Sequence, residues 1–172
     1  RRQDILVDGG GSETILSKLG EAMPFYDREI DILVISHPHA DHITGVLAVL
    51  RQYRVKAVYL SGAPHTTYEY RELLRLLKEG REIAKVKVDH GMTVQLTENT
   101  ALSFLYPDFD VSSERAPSFI KDNLNNTSVV VKLTHHGQSV LLTGDIEREI
   151  EQYLLEKGTD VSANVLKVAH QG

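Results

Sequence analysis

The segment 36-SHPHADHITG-45 carries three of the eight histidines of this 172-residue chain, together with one aspartate. It follows the apolar run DILVI at 31–35, which is typical of a buried strand, and it leads into a helical apolar stripe that begins at Ile43. The histidines are therefore predicted to lie in a turn at the carboxyl end of a strand. Open α/β sheets bind their ligands at that end of their strands, so this segment indicates both a fold class and the place of a site.

The residue types in this segment are those of a metal site. His37 and His39 are two apart in an extended turn, so their imidazoles can converge on one ion, while Asp41 and His42 lie on the first turn of a helix and can point at a second position nearby. Imidazole and carboxylate ligands suit Zn, Mn or Fe. The alternative is a polar loop in which the histidines occur by chance. It is the poorer interpretation, because three histidines and one aspartate fall within six positions.

Three other predicted strand ends carry ligand-type residues. Asp8 ends LVD, Asp145 ends LLTGD and His170 ends LKVAH. Alone, each would be read as a cap or turn residue. Because the carboxyl ends of parallel strands share one edge of a sheet, we expect these three side chains to join the histidine cluster.

The order of predicted elements indicates one α/β domain over residues 1–172. Strands and helices alternate as far as Gly80, and the helix that ends there is predicted to place Leu73, Leu74, Leu76 and Leu77 on its core side. The remainder is mostly strands, with a hairpin around Gly137 and a helix that opens on Asp145. The segment 108–126 is predicted to be a long surface loop.

Composition excludes several classes of protein. The chain has no Cys, so disulfide scaffolds and thiolate metal sites are ruled out. Its net charge of −5 argues against tight nonspecific binding to nucleic acid, although a nucleic-acid substrate held at a metal-lined cleft stays open. No apolar run approaches the ~20 residues of a membrane span, and RRQDILVDGG does not resemble a signal peptide.

The motifs resemble those of a known superfamily. HPHADH resembles the HxHxDH signature of the metallo-β-lactamase superfamily, and LVDGG, LLTGD and VAH resemble its flanking motifs in the same order. More narrowly, ILVDGGG, NNTSVVVKL, SVLLTGD, VLKVAHQG and the segment 23–53 resemble the C-terminal domain of the ComEC competence proteins. The resemblance implies an αββα sandwich, here expected to be a fragment that lacks both ends.

The resemblance also implies a set of ligands for two divalent ions, Zn or Mn. His37 and His39 resemble ligands of the first ion, whereas Asp41, His42 and His170 resemble ligands of the second. Asp145 resembles the carboxylate that bridges both ions and, with Asp41, is the candidate for orienting the nucleophile. Asp8 resembles a residue that orients the histidines from behind.

Two positions depart from the family pattern. Where most of the superfamily supplies another His to the first ion, this chain has DNLNNTS, so only Asn125 or Asn126 could stand in, and the first site is expected to be weak. Gln171 occupies the position of a second His in the ComEC pattern, and His170 is the preferred ligand because it ends the strand.

The implied chemistry is metal-dependent hydrolysis without a Ser or Cys nucleophile. Resemblance to the ComEC proteins implies cleavage of DNA phosphodiesters during DNA uptake, at the extracytoplasmic face of the bacterial membrane, beside a membrane channel in the same full-length protein. Two alternatives stay open: a phosphodiesterase or esterase acting on a small-molecule or cell-wall substrate, and a degenerate domain that binds DNA or a partner. The acidic net charge counts against DNA cleavage, and the intact HxHxDH segment counts against a degenerate binding domain.

The remaining polar candidates are weaker. His65 follows the third strand at the same predicted sheet edge, so it could contact substrate or simply cap the next helix. His135 and His136 lie at the predicted hairpin tip and are expected to be solvated. Lys167 could reach a phosphate, although an edge-facing Lys is the plainer interpretation.

Overall fold

The computed structural model describes residues 2–89, 91–121 and 123–171, except for the side chain of Gln171. The chain forms two compact units. One comprises Arg1–Leu60 and Pro64–Val86, and the other comprises Ser61–Ala63 and Lys87–Gly172. In the described residues no helix is long and apolar enough to cross a membrane.

The first unit is built on a four-stranded sheet in the order β1-β2-β3-β4. Its first three strands are parallel, with Val7 opposite Val34 and Val34 opposite Tyr59. This arrangement confirms the predicted alternation of strands and helices. The strands are Ile5–Val7 (β1), Glu29–Ile35 (β2), Arg54–Leu60 (β3) and Ala84–Lys87 (β4), and the helices are Thr14–Ala22 (α1), Ala40–Gln52 (α2) and Tyr68–Glu79 (α3).

Helix α2 contacts both α1 and α3 and supplies much of the core of this unit. Ile43 and Val46 are fully buried with Leu33 of β2, as the apolar stripe predicted. In α3, Leu73 and Leu77 are buried, but Leu74 is 45% exposed, so the prediction that it faces the core is wrong. The Thr67 hydroxyl accepts a hydrogen bond from the Tyr70 backbone N–H and fixes the start of α3.

The second unit is built on a five-stranded sheet in the order β5-β6-β7-β8-β9. Neighbouring strands from β5 to β8 are antiparallel, and only β8 and β9 are parallel. Tyr106, Val130 and Ile150 are buried in its core. The strands are Met92–Thr97 (β5), Thr100–Tyr106 (β6), Val130–His135 (β7), Gln138–Leu142 (β8) and Val165–Lys167 (β9), and the helices are Ser118–Lys121 (α4) and Arg148–Glu156 (α5), with short 3-10 turns at Leu124–Thr127 and Ala169–Gln171.

Three details of this unit differ from the sequence-based predictions. The segment 108–126 contains α4 and the start of a 3-10 turn rather than an unbroken loop, and α5 begins at Arg148 rather than Asp145. In addition, Asp8 follows a strand of the first sheet, whereas Asp145 and His170 follow β8 and β9 of the second. The expectation of one shared parallel edge is therefore wrong: each sheet has its own set of parallel strands, and each set carries its own ligand-type residues.

Candidate metal centre

The loop after β1 is fixed against α2 by direct contact between backbones. The Gly9 N–H donates to the His42 carbonyl and the Gly45 N–H donates to the Gly10 carbonyl, both at 2.9 Å. A Cβ atom on Gly45 would lie 2.0 Å from the Gly9 carbonyl oxygen, so no side chain fits between them. Asp8, immediately before this contact, has φ +59°, a left-handed conformation that costs a non-glycine residue free energy. The tight contact thus determines where the Asp8 carboxylate lies.

The Asp8 carboxylate binds the strand end and helix α2 together. Its Oδ1 accepts from the Ser36 backbone N–H at 2.8 Å, and its Oδ2 accepts from the Ser36 hydroxyl at 2.7 Å. His42 Nδ1 lies 2.8 Å from the same Oδ2. Because a carboxylate only accepts, the proton of neutral His42 is on Nδ1, and Nε2 keeps the lone pair that a metal ion needs.

His37 and His39 form the second part of this cluster. The Ser36 hydroxyl donates its hydrogen to Asp8, so it accepts from His37 Nδ1, which lies 3.0 Å away. That tautomer leaves the His37 Nε2 lone pair towards His39 Nδ1, at a separation of 2.9 Å. Two nitrogens each about 2.1 Å from one tetrahedral ion would be about 3.4 Å apart. The observed pair therefore needs only a small adjustment to hold one ion.

Asp41 lies on the solvent side of the cluster. Its side chain is 58% exposed on the first turn of α2, and its Oδ2 lies 3.8 Å from His42 Nε2. The pair offers one oxygen and one nitrogen to the same point. The first unit thus brings Asp8, His37, His39, Asp41 and His42 together, with nitrogen and oxygen donors that suit Zn or Mn.

His65 lies beside this cluster in the first unit. Its ring centroid is 5.9 Å from that of His39, with the planes at 73°, and 6.4 Å from that of Tyr70. Burial raises the pKa of Tyr70, so its phenol stays neutral at physiological pH. The structure therefore places His65 next to a candidate ligand.

The second unit brings Asp145 and His170 together, because the strands that precede them pair in parallel with Leu142 opposite Lys167. Asp145 is buried, its backbone N–H donates to the Ser128 hydroxyl at 3.1 Å, and its Oδ2 lies 3.8 Å from His170 Nδ1. His170 has φ +53°, so it shares a left-handed conformation with Asp8, although it lies in the 3-10 turn three residues after β9. Lys167 Nζ lies 4.0 Å from the Asp145 carboxylate, and the Lys167 side chain is 41% exposed.

Asn125 and Asn126 have different surroundings. Both ends of the Asn126 amide are engaged: Nδ2 donates to the Phe119 carbonyl at 3.0 Å, and Oδ1 accepts from the Glu147 N–H at 2.9 Å. Asn125 Nδ2 lies 3.2 Å from Glu147 Oε1 and 2.8 Å from His170 Nε2, but within the described part of the chain its buried Oδ1 has no hydrogen-bond partner. A buried amide oxygen of this kind is a donor atom that suits a cation. Of the two, Asn125 is therefore the better candidate ligand.

Glu147 is a site neighbour that sequence reasoning missed. Hydrogen bonds from the Asn123 and Asn125 side chains, together with the nearby His170 imidazole, lower the pKa of its carboxyl group. Its position two residues after Asp145 is the signal in the sequence that could have found it.

The other predicted histidines lie at the β7–β8 hairpin. His135 ends β7 and pairs with Gln138, and His136 and Gly137 form a turn with φ +47° and +76°, so the predicted hairpin is present and both histidines are exposed. The His135 ring contacts the Thr100 hydroxyl at 2.8 Å on the surface. The side chain of Gln171 lies outside the described residues.

Comparisons with known proteins agree with the motifs. The model of the metallo-beta-lactamase superfamily matches residues 2–171. Among curated proteins, the ComE operon protein 3 of Bacillus subtilis is 29% identical over 189 aligned residues, which cover the whole chain and 23% of that protein. The RNase J-like protein of Methanocaldococcus jannaschii is 25% identical over 162 residues, covering 91% of the chain and 34% of that protein. These matches confirm the predicted resemblance to the superfamily and to the competence proteins.

Solved structures confirm the α/β fold class. The metallo-beta-lactamase fold protein YhfI of Bacillus subtilis matches 94% of the chain and 56% of its own, with a TM-score of 0.55 at 16% identity. The MIM-2 metallo-beta-lactamase matches 97% of the chain and 66% of its own, with a TM-score of 0.54 at 15% identity. The chain thus spans about a quarter to a third of these curated relatives and less than two thirds of these solved structures.

Proposed function

Since the chain belongs to the metallo-β-lactamase superfamily, whose members include metal-dependent hydrolases and nucleases, we propose that it is a two-metal phosphodiesterase domain that cleaves DNA in a ComEC-like competence protein. The observation that carries the proposal is the hydrogen-bonded set Asp8–Ser36–His37–His42. It fixes the tautomers of His37 and His42, so that each ring carries its lone pair on Nε2, the form in which imidazole binds a metal ion.

The proposed ligand sets follow from the donor atoms. His37 Nε2 and His39 Nδ1 would hold the first ion with the neutral Asn125 Oδ1 as a third ligand, which would make this site the weaker one. Asp41, His42 Nε2 and His170 would hold the second ion, and Asp145 would be the carboxylate ligand that the family resemblance assigns to both. A structure determined with Mn or Zn would test these ligand assignments directly.

The protein groups then have separate tasks. Bound divalent ions supply an activated water at neutral pH and neutralise charge on the phosphoryl oxygens. With the ions bound, the Asp41 and Asp145 carboxylates would accept hydrogen bonds from the attacking water and orient it. Asp8 holds His42 from behind, so the ligand does not turn away when substrate binds.

DNA as the substrate is supported by relatedness rather than by surface charge. One curated relative is a ComE operon protein, and two others are named as ribonucleases. These two are the RNase J-like protein and the endoribonuclease ysh1 of Aspergillus fumigatus. The endoribonuclease is 26% identical over 146 residues, which cover 78% of the chain and 16% of that protein. With a net charge of −5, the chain would hold DNA through the metal centre and not through a basic face. We place the domain at the extracytoplasmic face of the membrane, beside the channel of the same full-length protein.

A nuclease assay tests this function. The protein, loaded with Mn or Zn, is incubated with labelled single- and double-stranded DNA and, in parallel, with bis(p-nitrophenyl) phosphate, with EDTA as the metal-free control. Metal-dependent DNA cleavage that EDTA abolishes is the expected result. Hydrolysis of the small phosphodiester without DNA cleavage would favour a small-molecule or cell-wall substrate. Binding of DNA with no hydrolysis of either substrate would favour a degenerate binding domain.

A further inference from the structure

His65 is held on two sides at the edge of the candidate centre. It lies in the segment after β3, at the carboxyl end of the same parallel strands that carry the His37–His39 turn. Its ring packs edge-to-face against His39 on one side and Tyr70 on the other, with centroid separations of 5.9 and 6.4 Å. Tyr70 is itself buried in the first core, so this contact anchors the imidazole to a rigid part of the unit.

The polar atoms of His65 are used differently from those of the other histidines in the cluster. His37, His39 and His42 each have a ring nitrogen within hydrogen-bond distance of a neighbouring side chain. Within the described residues, neither ring nitrogen of His65 makes such a contact, although the side chain is half-buried. A neutral imidazole always carries one N–H donor. A donor that is held by ring packing and engaged by no described protein group is suited to a ligand.

We infer that His65 is a substrate-contacting residue that donates its N–H to a non-bridging phosphate oxygen of a phosphodiester bound beside His39. The inference rests on the proposed function for the identity of the ligand. A phosphodiester carries one negative charge over two non-bridging oxygens, so an oxygen directed away from the ions gains from a protein donor. A neutral donor held in place by packing provides that contact without moving when the substrate arrives.

The competing role is purely structural: the ring could act through His39 by holding it in position. Two substitutions separate these roles. His65→Phe keeps an aromatic ring between His39 and Tyr70 but removes both nitrogens, whereas His65→Gln keeps an N–H donor and removes the ring. A hydrogen bond to a charged group contributes enough that its loss lowers binding about 10- to 100-fold.

The experiment measures two affinities: that for Mn, by titration of the metal-free protein, and that of the Mn-loaded protein for a dithymidine phosphorothioate that resists hydrolysis. For His65→Phe we expect unchanged Mn affinity and phosphorothioate binding weakened about 10- to 100-fold. His65→Gln should recover part of that loss. In steady-state assays with bis(p-nitrophenyl) phosphate, the same variants should raise KM more than they lower kcat.

The opposite pattern would overturn the inference. Normal phosphorothioate binding by His65→Phe, or a loss of Mn affinity in His65→Gln with rescue by Phe, would assign His65 the structural role. Failure of the proposed function gives a different result: the wild-type protein would hydrolyse neither DNA nor bis(p-nitrophenyl) phosphate. In that case, weaker phosphorothioate binding by His65→Phe would still support the contact, and a wild-type protein that does not bind the phosphorothioate would overturn it.

Discussion

The Asp8 carboxylate and His42 Nδ1 lie 2.8 Å apart across 34 positions of the chain, and this contact fixes which His42 nitrogen is available for metal. The two residues meet because β1 and β2 run in parallel and because the loop after Asp8 touches the backbone of α2. A carboxylate behind a histidine ligand holds the ring orientation and makes the ligand more basic.

Replacing Asp8 should therefore weaken metal binding without removing a ligand. We expect Asp8→Asn to lower the affinity for Zn or Mn about 10- to 100-fold, because an amide can present either a donor or an acceptor to His42 and no longer fixes its tautomer. Calorimetric titration of the metal-free protein measures this change. Asp160→Asn, which removes a carboxylate that pairs with Lys132 in the second unit, is the matched control and should bind metal as the wild type does.

Gly45 should tolerate no side chain. A Cβ there would lie 2.0 Å from the Gly9 carbonyl oxygen and 2.8 Å from the Ser12 carbonyl oxygen. To make room for it, the loop after β1 would have to move away from α2, and Asp8 would move with that loop. We expect Gly45→Ala to lower the free energy of unfolding by about 1–3 kcal/mol or more, and to weaken metal binding with it. Urea denaturation measures the first effect.

Gly20 provides the control for this prediction. It lies within α1, and a Cβ built on it meets no atom within 4 Å. Gly20→Ala should raise the free energy of unfolding by about 0.5–1 kcal/mol, because alanine loses less backbone entropy in a helix. If Gly45→Ala were as stable as Gly20→Ala, the backbone contact would not be what positions Asp8.

The Glu72 carboxylate should contribute to an acid-dependent stability. It accepts hydrogen bonds from Arg75 and Arg51 at 2.7–2.8 Å, and these bonds lower its pKa from 4.5 to about 2. Because the pKa is depressed in the folded state, the stabilisation is present above pH 4.5 and is lost as the pH falls towards about 2. Glu72→Gln should lower the free energy of unfolding at pH 7 and flatten its fall over that range.

Denaturation at a series of pH values measures this effect. Glu156→Gln at the end of α5 makes the same charge change at a residue with no ion pair in the described chain, and it should keep the wild-type slope. If the free energy of unfolding fell equally steeply with pH in Glu72→Gln and in the wild type, the Arg51–Glu72–Arg75 ion pairs would not be a source of the acid dependence.

Much of the first unit could be predicted from the sequence because its information is local. The apolar runs and the stripe from Ile43 report strand and helix periods directly, and a parallel sheet then places Asp8 and the His37–His39 turn at one edge. Leu74 was misplaced because four leucines within five positions cover more than one face of a helix, and only packing decides which face is buried.

The second unit could be predicted less well because its pairings are not local. Strand periodicity does not reveal whether Asp145 and His170 follow parallel or antiparallel strands, or which sheet the strands join. Tertiary packing also decides the surroundings of Asn125, Asn126 and His65, so the sequence could only name these residues as candidates. It could not show that the Asn126 amide is engaged, that the Asn125 oxygen is unsatisfied or that His65 packs between His39 and Tyr70.

The first metal site should be the weaker of the two. His37 and His39 supply two imidazoles, but the amide oxygen of Asn125 is neutral and is a poorer ligand for Zn than imidazole. We expect titration with Zn to show one tight and one weak binding step. Asn125→His should tighten the weak step and leave the other unchanged, and Asn126→His, at an amide engaged on both sides, should instead destabilise the fold. Two equally tight steps in the wild type would contradict the assignment of Asn125 to the first ion.

Asp41 should be essential for catalysis but not for folding. Its carboxylate is exposed on the first turn of α2, 3.8 Å from His42 Nε2. From there it can both hold an ion and orient the attacking water. Asp41→Ala should lower metal-dependent DNA hydrolysis by about 100-fold or more. Folding should survive because an exposed acidic residue at a helix start contributes only about 0.3–1 kcal/mol. The DNA assay and thermal denaturation of the same samples measure both effects.

His135→Ala at the hairpin, which also removes an exposed polar side chain, should keep wild-type activity. An Asp41→Ala protein that still cleaves DNA at the wild-type rate would exclude this carboxylate from the reaction.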